Sequence, residues 1–293
     1  MTGASPEVVT PALLRAWPLS DPGAGKESRG HLVVLGGSRT TPGAAQLAGE
    51  AALRAGAGKL ELATSASAAA TLAVAVPEAR VLDLPEDETG AVVPTAADRV
   101  VASAEDADAL LVGPGFDDVD VAVALLAAVL PRVSCPLVVD ALGTAYLTEE
   151  PDGVQHLDGR VVVTANPVEL AKLTGQDEVD GEDEILDAAL EVARTRSAVV
   201  LAGAEQKLVV APDGRSWVVQ GGGVGLGVSG SGDVQAGIVA GLLARGEEPA
   251  RAAVWGAYLH ARAGERLAGE MGPLGYLARE LPPALPAVLN ELR

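Results

Sequence analysis

Gly230, Ser231, Gly232 and Asp233 form a turn able to hold an anion beside a carboxylate. Seven glycines fall within residues 221–232, and an Ala/Val/Leu-rich stretch with helical spacing follows Asp233 at once. A helix that begins at such a turn presents several unbonded N–H groups and the positive end of its dipole at one point. Phosphate oxygens suit that nest, as does negative charge developing during phosphoryl transfer. Asp233, in the first helical turn, stands beside the anion and can act as a base towards a hydroxyl. For these four residues alone the simpler use is a helix cap by Ser231 or Asp233, with the glycines in a tight turn. The glycine density favours the anion site.

Other loops offer supporting chemistry. Gly36-Gly37-Ser38 and Gly113-Pro114-Gly115 each follow an apolar run. Loops at the carboxyl ends of parallel strands form the ligand crevice of an open α/β sheet, although either loop also serves as a plain strand–helix turn. Asp140 ends another apolar run, where it either positions a ligand or metal-bound water or caps the next helix. Asn166-Pro167-Val168-Glu169 reads as a helix start, with Thr164 or Asn166 as the cap, then Pro, then a first-turn Glu. His260 reads as a packed, hydrogen-bonded core histidine and Cys135 as a structural thiol.

These residues need a scaffold of alternating strands and helices. His31–Leu35 and Ala109–Val112 are short apolar runs ended by glycine, as buried strands are. Further strand-like runs occupy 59–64, 80–82, 137–140, 160–164 and 198–201. Pro42–Ala55 has helical spacing and stops at Gly56, a plausible C-cap. Residues 207–211 and Ser216–Val219 flank Pro212-Asp213-Gly214 and predict an antiparallel hairpin. Helices are expected at 11–17, 233–244, 249–267 and, with breaks, 274–292. The alternation predicts an α/β protein with a mostly parallel sheet covered on both faces. Residues 1–29 read as a surface lead-in and residues 30–293 as one domain.

Composition narrows the partners. The 293 residues carry a net charge of −19, and their Lys and Arg are scattered, which argues against nucleic acid. Backbone amides and a metal ion can still hold a small phosphate ligand. One cysteine and three separated histidines leave no thiolate or histidine metal site. No apolar run approaches the roughly 20 residues of a membrane span. The N-terminus lacks the pattern of a signal peptide, so a cytoplasmic location is expected. Acidic patches at 86–88 and 176–184 read as solvated loops.

The glycine-rich segment and its helix resemble the anion-hole motif of the ribokinase-like superfamily. Residues 30–64, LLVGPGF, VVDALGT, VVVTANPVELAKLTG and the helix AAVWGAYLHARAGERLA are together similar, in order, to the ADP-dependent NAD(P)H-hydrate dehydratases. The resemblance implies a three-layer ribokinase-like sandwich. It implies that ADP or ATP, with Mg²⁺, phosphorylates the hydroxyl of (S)-NAD(P)H hydrate and that elimination of phosphate restores NADH or NADPH. Asp233 matches the base, and Gly230, Ser231 and Gly232 the anion hole. Gly37, Ser38, Ala44, Gly115 and Asn166, with Asp233, match substrate positions. Ala202, Gly203, Ala204, Glu205 and Gln206, with Gly232, match nucleotide positions, and Glu169 the magnesium-organising residue. A homo-oligomer, by analogy a tetramer, and a separate epimerase partner are implied.

The chain departs from the family pattern at several of these positions. Asn166 stands where many members have His, and Val168 replaces a glycine. In LAGAEQKLVV, Ala202 replaces a lysine and Gln206 a threonine. Lys207 is close by, but a one-residue shift on a strand reverses its face, so it is not expected to replace the missing lysine. Two other readings fit the motifs: a small-molecule kinase of the hydroxyethylthiazole or sugar type, which would release a stable phosphate ester, and a nucleotide-binding pseudoenzyme.

Overall fold

The computed structural model describes residues 5–21, 23–203 and 206–292. Ten strands build one sheet: β1 (Glu7–Val8), β2 (His31–Leu35), β3 (Lys59–Ser65), β4 (Ala79–Leu84), β5 (Ala109–Val112), β6 (Leu137–Val139), β7 (Val161–Ala165), β8 (Val199–Ala202), β9 (Lys207–Val210) and β10 (Ser216–Val219). Their spatial order is β1-β10-β9-β8-β7-β6-β5-β2-β3-β4. Every pairing is parallel except the two made by β9, which runs against β8 and β10. The expected hairpin is therefore present. β1 was not foreseen: it pairs with β10, so the lead-in supplies an edge strand.

The helices are α1 (Pro11–Ala16), α2 (Pro42–Ala55), α3 (Ala66–Ala75), α4 (Ala97–Glu105), α5 (Val119–Val129), α6 (Gly143–Glu149), α7 (Pro167–Thr174), α8 (Glu182–Arg196), α9 (Ser231–Ala244), α10 (Pro249–Met271) and α11 (Leu281–Glu291). Side-chain alternation along the strands divides the apolar residues into two cores. Leu32, Val34, Leu111 and Val209 pack with α2, α9, α10 and α11. Val33, Leu35, Leu110 and Leu208 pack with α4 to α8 on the other face. The result is the expected three-layer sandwich. Among the described residues no helix is long and apolar enough to cross a membrane.

The order in which successive strands are added reverses between β2 and β5: β3 and β4 extend one way from β2, and β6, β7 and β8 extend the other way from β5. Ligands of open α/β sheets bind beyond the strand ends at such a switch point. The Gly36-Gly37-Ser38 and Gly113-Pro114-Gly115 loops leave these two strands. They touch, with the Gly37 amide donating to the Pro114 carbonyl at 2.7 Å. A Cβ on Gly36 would lie 2.3 Å from that oxygen, so only glycine permits the approach.

Candidate active site

Gly230 starts α9 in the left-handed region at φ +89°, and a Cβ there would meet Leu47 at 2.6 Å. Among the described residues no side chain caps the helix. Among the described residues the Gly232 and Asp233 amides donate to no protein acceptor, so the helix start stays open to an anion. Ser231 does not act as a cap. Its buried hydroxyl lies 2.9 Å from His260 Nε2, while the Gln235 amide nitrogen faces His260 Nδ1 at 3.3 Å. His260 is the buried, hydrogen-bonded histidine that was expected, yet it touches the anion site directly. Burial pushes its pKa down to about 3, with the Lys207 charge adding and a Ser231 main-chain hydrogen bond opposing.

Beside Ser231 and Gly232 opens a cleft of about 970 Å³, lined also by Asn166, Gly203, Gln206, Lys207, Gln235 and His260. Gly203 and Gln206, both nucleotide candidates, sit on this cleft. Ala202 does not: it is buried in the core under α8. Ala204 and Glu205 lie outside the described residues. Ala202 packs in the α4–α8 core, whereas Lys207 shares the face of Val209, and the cleft is on that face, the α9–α10 side. Lys207 Nζ donates to the Gly203 carbonyl at 2.8 Å, and burial lowers its pKa. The family motif drew attention to Ala202, whereas the cleft-facing cation is five residues later.

Asp233 is half-buried, and desolvation raises its pKa to about 6. Asp140 is buried and raised to about 7, chiefly by desolvation, with the Asp233 and Glu169 charges adding. The Thr164 hydroxyl opposes this by donating to Asp140 Oδ1 at 2.5 Å. Asp140 does not cap α6, which begins after Leu142. Asn166 and Glu169 form a capping box on α7: Asn166 Oδ1 accepts from the Glu169 amide at 3.0 Å, and Glu169 Oε2 from the Asn166 amide at 2.9 Å. Burial raises the Glu169 pKa as well. The cap geometry therefore accounts for both residues and, among the described residues, leaves the second Glu169 carboxylate oxygen without a hydrogen bond. Among the described residues no group of three or more His, Cys, Asp or Glu side chains converges as a metal cage. Mg²⁺ accepts fewer protein ligands than that when phosphate and water complete its shell, so this donor set fits it.

At the switch point, a Cβ on Gly115 would meet the Ala44 methyl at 2.9 Å and Gly37 Cα at 3.1 Å, so three substrate candidates are packed together. Ser38 is different. Its buried hydroxyl donates to Asp117 Oδ2 at 2.6 Å and lies 2.9 Å from Thr41 Oγ1. It shapes the loop. Thr41, which donates to the Gly115 carbonyl at 2.7 Å, joins the two loops, and neither Thr41 nor Asp117 was singled out by motif. Cys135 is buried, its thiol raised to about 11, as suits a structural role.

A family model of NAD(P)H-hydrate dehydratases matches residues 32–287. The chain belongs to this family. It is 44% identical over 293 residues to the ADP-dependent (S)-NAD(P)H-hydrate dehydratase of Xanthomonas campestris, covering 100% of this chain and 99% of that one. The Bacillus subtilis ADP/ATP-dependent NAD(P)H-hydrate dehydratase, co-crystallised with ATP and Mg²⁺, superposes with a TM-score of 0.79 at 26% identity, covering 99% of this chain and 100% of that one. A ribokinase-like superfamily protein of Enterococcus faecalis gives 0.80 at 23% identity, covering 98% and 96% of the two chains, and establishes the fold.

Proposed function

We propose that this chain uses ADP to dehydrate the (S) form of NAD(P)H hydrate. The observation that carries the reading is the uncapped start of α9, which borders the cleft at Ser231 and Gly232 and carries Asp233 in its first turn. The nucleotide occupies the cleft and the hydrated dinucleotide enters at Gly37, Ala44 and Gly115. Asp233, with a pKa of about 6, is largely ionised at neutral pH and takes the proton of the ring hydroxyl. That oxygen attacks the terminal phosphorus, and the bond to the bridging oxygen breaks. The Gly232 and Asp233 amides and the Ser231 hydroxyl hold the moving phosphoryl group. Phosphate then leaves the ring and a neighbouring ring proton is lost, which restores the double bond. Mg²⁺, when bound through the nucleotide phosphates and the second Glu169 oxygen or its water, neutralises phosphate charge.

A cytoplasmic tetramer served by a separate epimerase belongs to the same reading and rests on family resemblance. Pure protein incubated with hydrated NADH, ADP and Mg²⁺ should regain the NADH absorbance band and release inorganic phosphate. No recovery with either ADP or ATP overturns the reading. Accumulation of a phosphorylated product in place of phosphate would favour a small-molecule kinase.

A further inference from the structure

We infer that Lys207 is the cation that receives the nucleotide's phosphates, supplied from β9 because β8 has none to offer. The inference rests on the reading that the cleft takes a nucleoside diphosphate. Among the described residues that line the cleft, Lys207 is the one charged side chain: the others are Gly, Gln, Asn, Ser, a neutral His and apolar groups. The protein carries a net charge of −19, so a lone ammonium on an uncharged wall is placed against the overall field.

Its surroundings leave it incomplete. Among the described residues Lys207 has one hydrogen-bond partner, the Gly203 carbonyl at 2.8 Å, and no carboxylate within ion-pair distance. An ammonium carries three donors, and a partly buried one without a counter-charge is held at a cost that an anion would relieve. Position points the same way. Lys207 shares its strand face with Val209, towards α9 and α10, and it acts electrostatically on His260, which in turn touches Ser231. The ammonium and the open start of α9 thus face one cleft from two walls. This separates its duties from those of Gly203 and Gln206, which offer no charge.

The test is equilibrium binding of ADP and of adenosine, each with Mg²⁺, to the wild type, Lys207→Met and Lys207→Arg, alongside melting of the ligand-free proteins. Met keeps the aliphatic stem, so its melting temperature should equal or exceed that of the wild type. ADP binding should weaken tenfold or more in Lys207→Met, adenosine binding should hold within twofold, and Arg should recover most of the ADP affinity. A lysine that only ties down the Gly203 carbonyl predicts the reverse: a lower melting temperature with the ADP-to-adenosine ratio unchanged. That result overturns the inference alone. Failure of the wild type to bind ADP or ATP overturns the nucleotide reading, and this inference with it.

Discussion

His260 donates to Ser231. The Gln235 amide nitrogen faces His260 Nδ1, so that ring nitrogen is the acceptor and the proton resides on Nε2, 2.9 Å from the Ser231 hydroxyl oxygen. With one lone pair engaged, the Ser231 hydroxyl keeps its own proton to donate into the cleft. His260 acts as a positioning residue, and its pKa near 3 keeps it neutral throughout the working range.

Replacing His260 with Leu should therefore lower kcat about tenfold, on the scale of one misdirected hydrogen bond to an anion. His260→Gln, which retains a donor, should recover part of the loss. Neither variant should alter the acid limb of the pH–rate profile, because His260 carries no proton change there. A lost or shifted limb would mean that His260 itself titrates in catalysis.

That limb belongs to Asp233. Its pKa of about 6 means that the basic form grows as pH rises through 6, so activity should increase over the same interval and level off above it. Asp233→Asn should reduce kcat by about 10²–10⁴, the usual contribution of a positioned base, with ADP affinity retained. Steady-state rates from pH 5 to 8, paired with ADP binding, check both parts. A variant with more than a tenth of wild-type kcat would remove Asp233 from the proton transfer.

How much of this was legible in the sequence depends on how local each cause is. β2, α2 and β5 were read to the residue because each is an apolar run or helical stretch ended by glycine. The capping box at Asn166 and Glu169 needs only a three-residue spacing. β1 was missed because a two-residue strand has no pattern of its own and exists through pairing with β10. Lys207 shows a different limit. Alternation fixed which residues share its face, but only the docking of α9 and α10 decides which face holds the cleft. The Ser231–His260 contact joins residues 29 apart and carries no local signal.

Asp140 makes stability depend on pH. Its carboxyl keeps a proton in the fold up to about pH 7, whereas an unfolded aspartic acid loses it near 3.8. Its contribution is therefore complete below 3.8 and is lost as pH rises through 7, at about 1.4 kcal/mol per pH decade at most. His260 has the opposite sign: its contribution is present above 6.5 and is lost as pH falls towards 3. At pH 8 His260 is neutral in both folded and unfolded chains and adds no pH dependence there. Asp140→Asn should raise the melting temperature at pH 8 relative to the wild type and do little at pH 4. Melts at the two pH values decide this, and an equal shift at both would assign the effect to packing instead of charge.

The registration of α9 against α2 sets how Asp233, the proposed base, stands to Ala44, a proposed substrate contact. Gly237 and Gly241, one turn apart on α9, lie against α2: an added Cβ would stand 2.1 Å from the Ala48 carbonyl oxygen at the first and 2.6 Å from the Ala52 carbonyl oxygen at the second. The obstacles are backbone atoms, which cannot rotate aside. Gly237→Ala must therefore push the helices apart, at a cost of about 1–3 kcal/mol. The same displacement moves Asp233, at the start of α9, away from Ala44, at the start of α2. Gly237→Ala should lower both the melting temperature and kcat, while Gly269→Ala, with open space at its Cβ on α10, should lower neither. Thermal melts and rates on the two variants provide the check. A Gly237→Ala protein with wild-type melting and turnover would show that close helix contact does not hold the site in register.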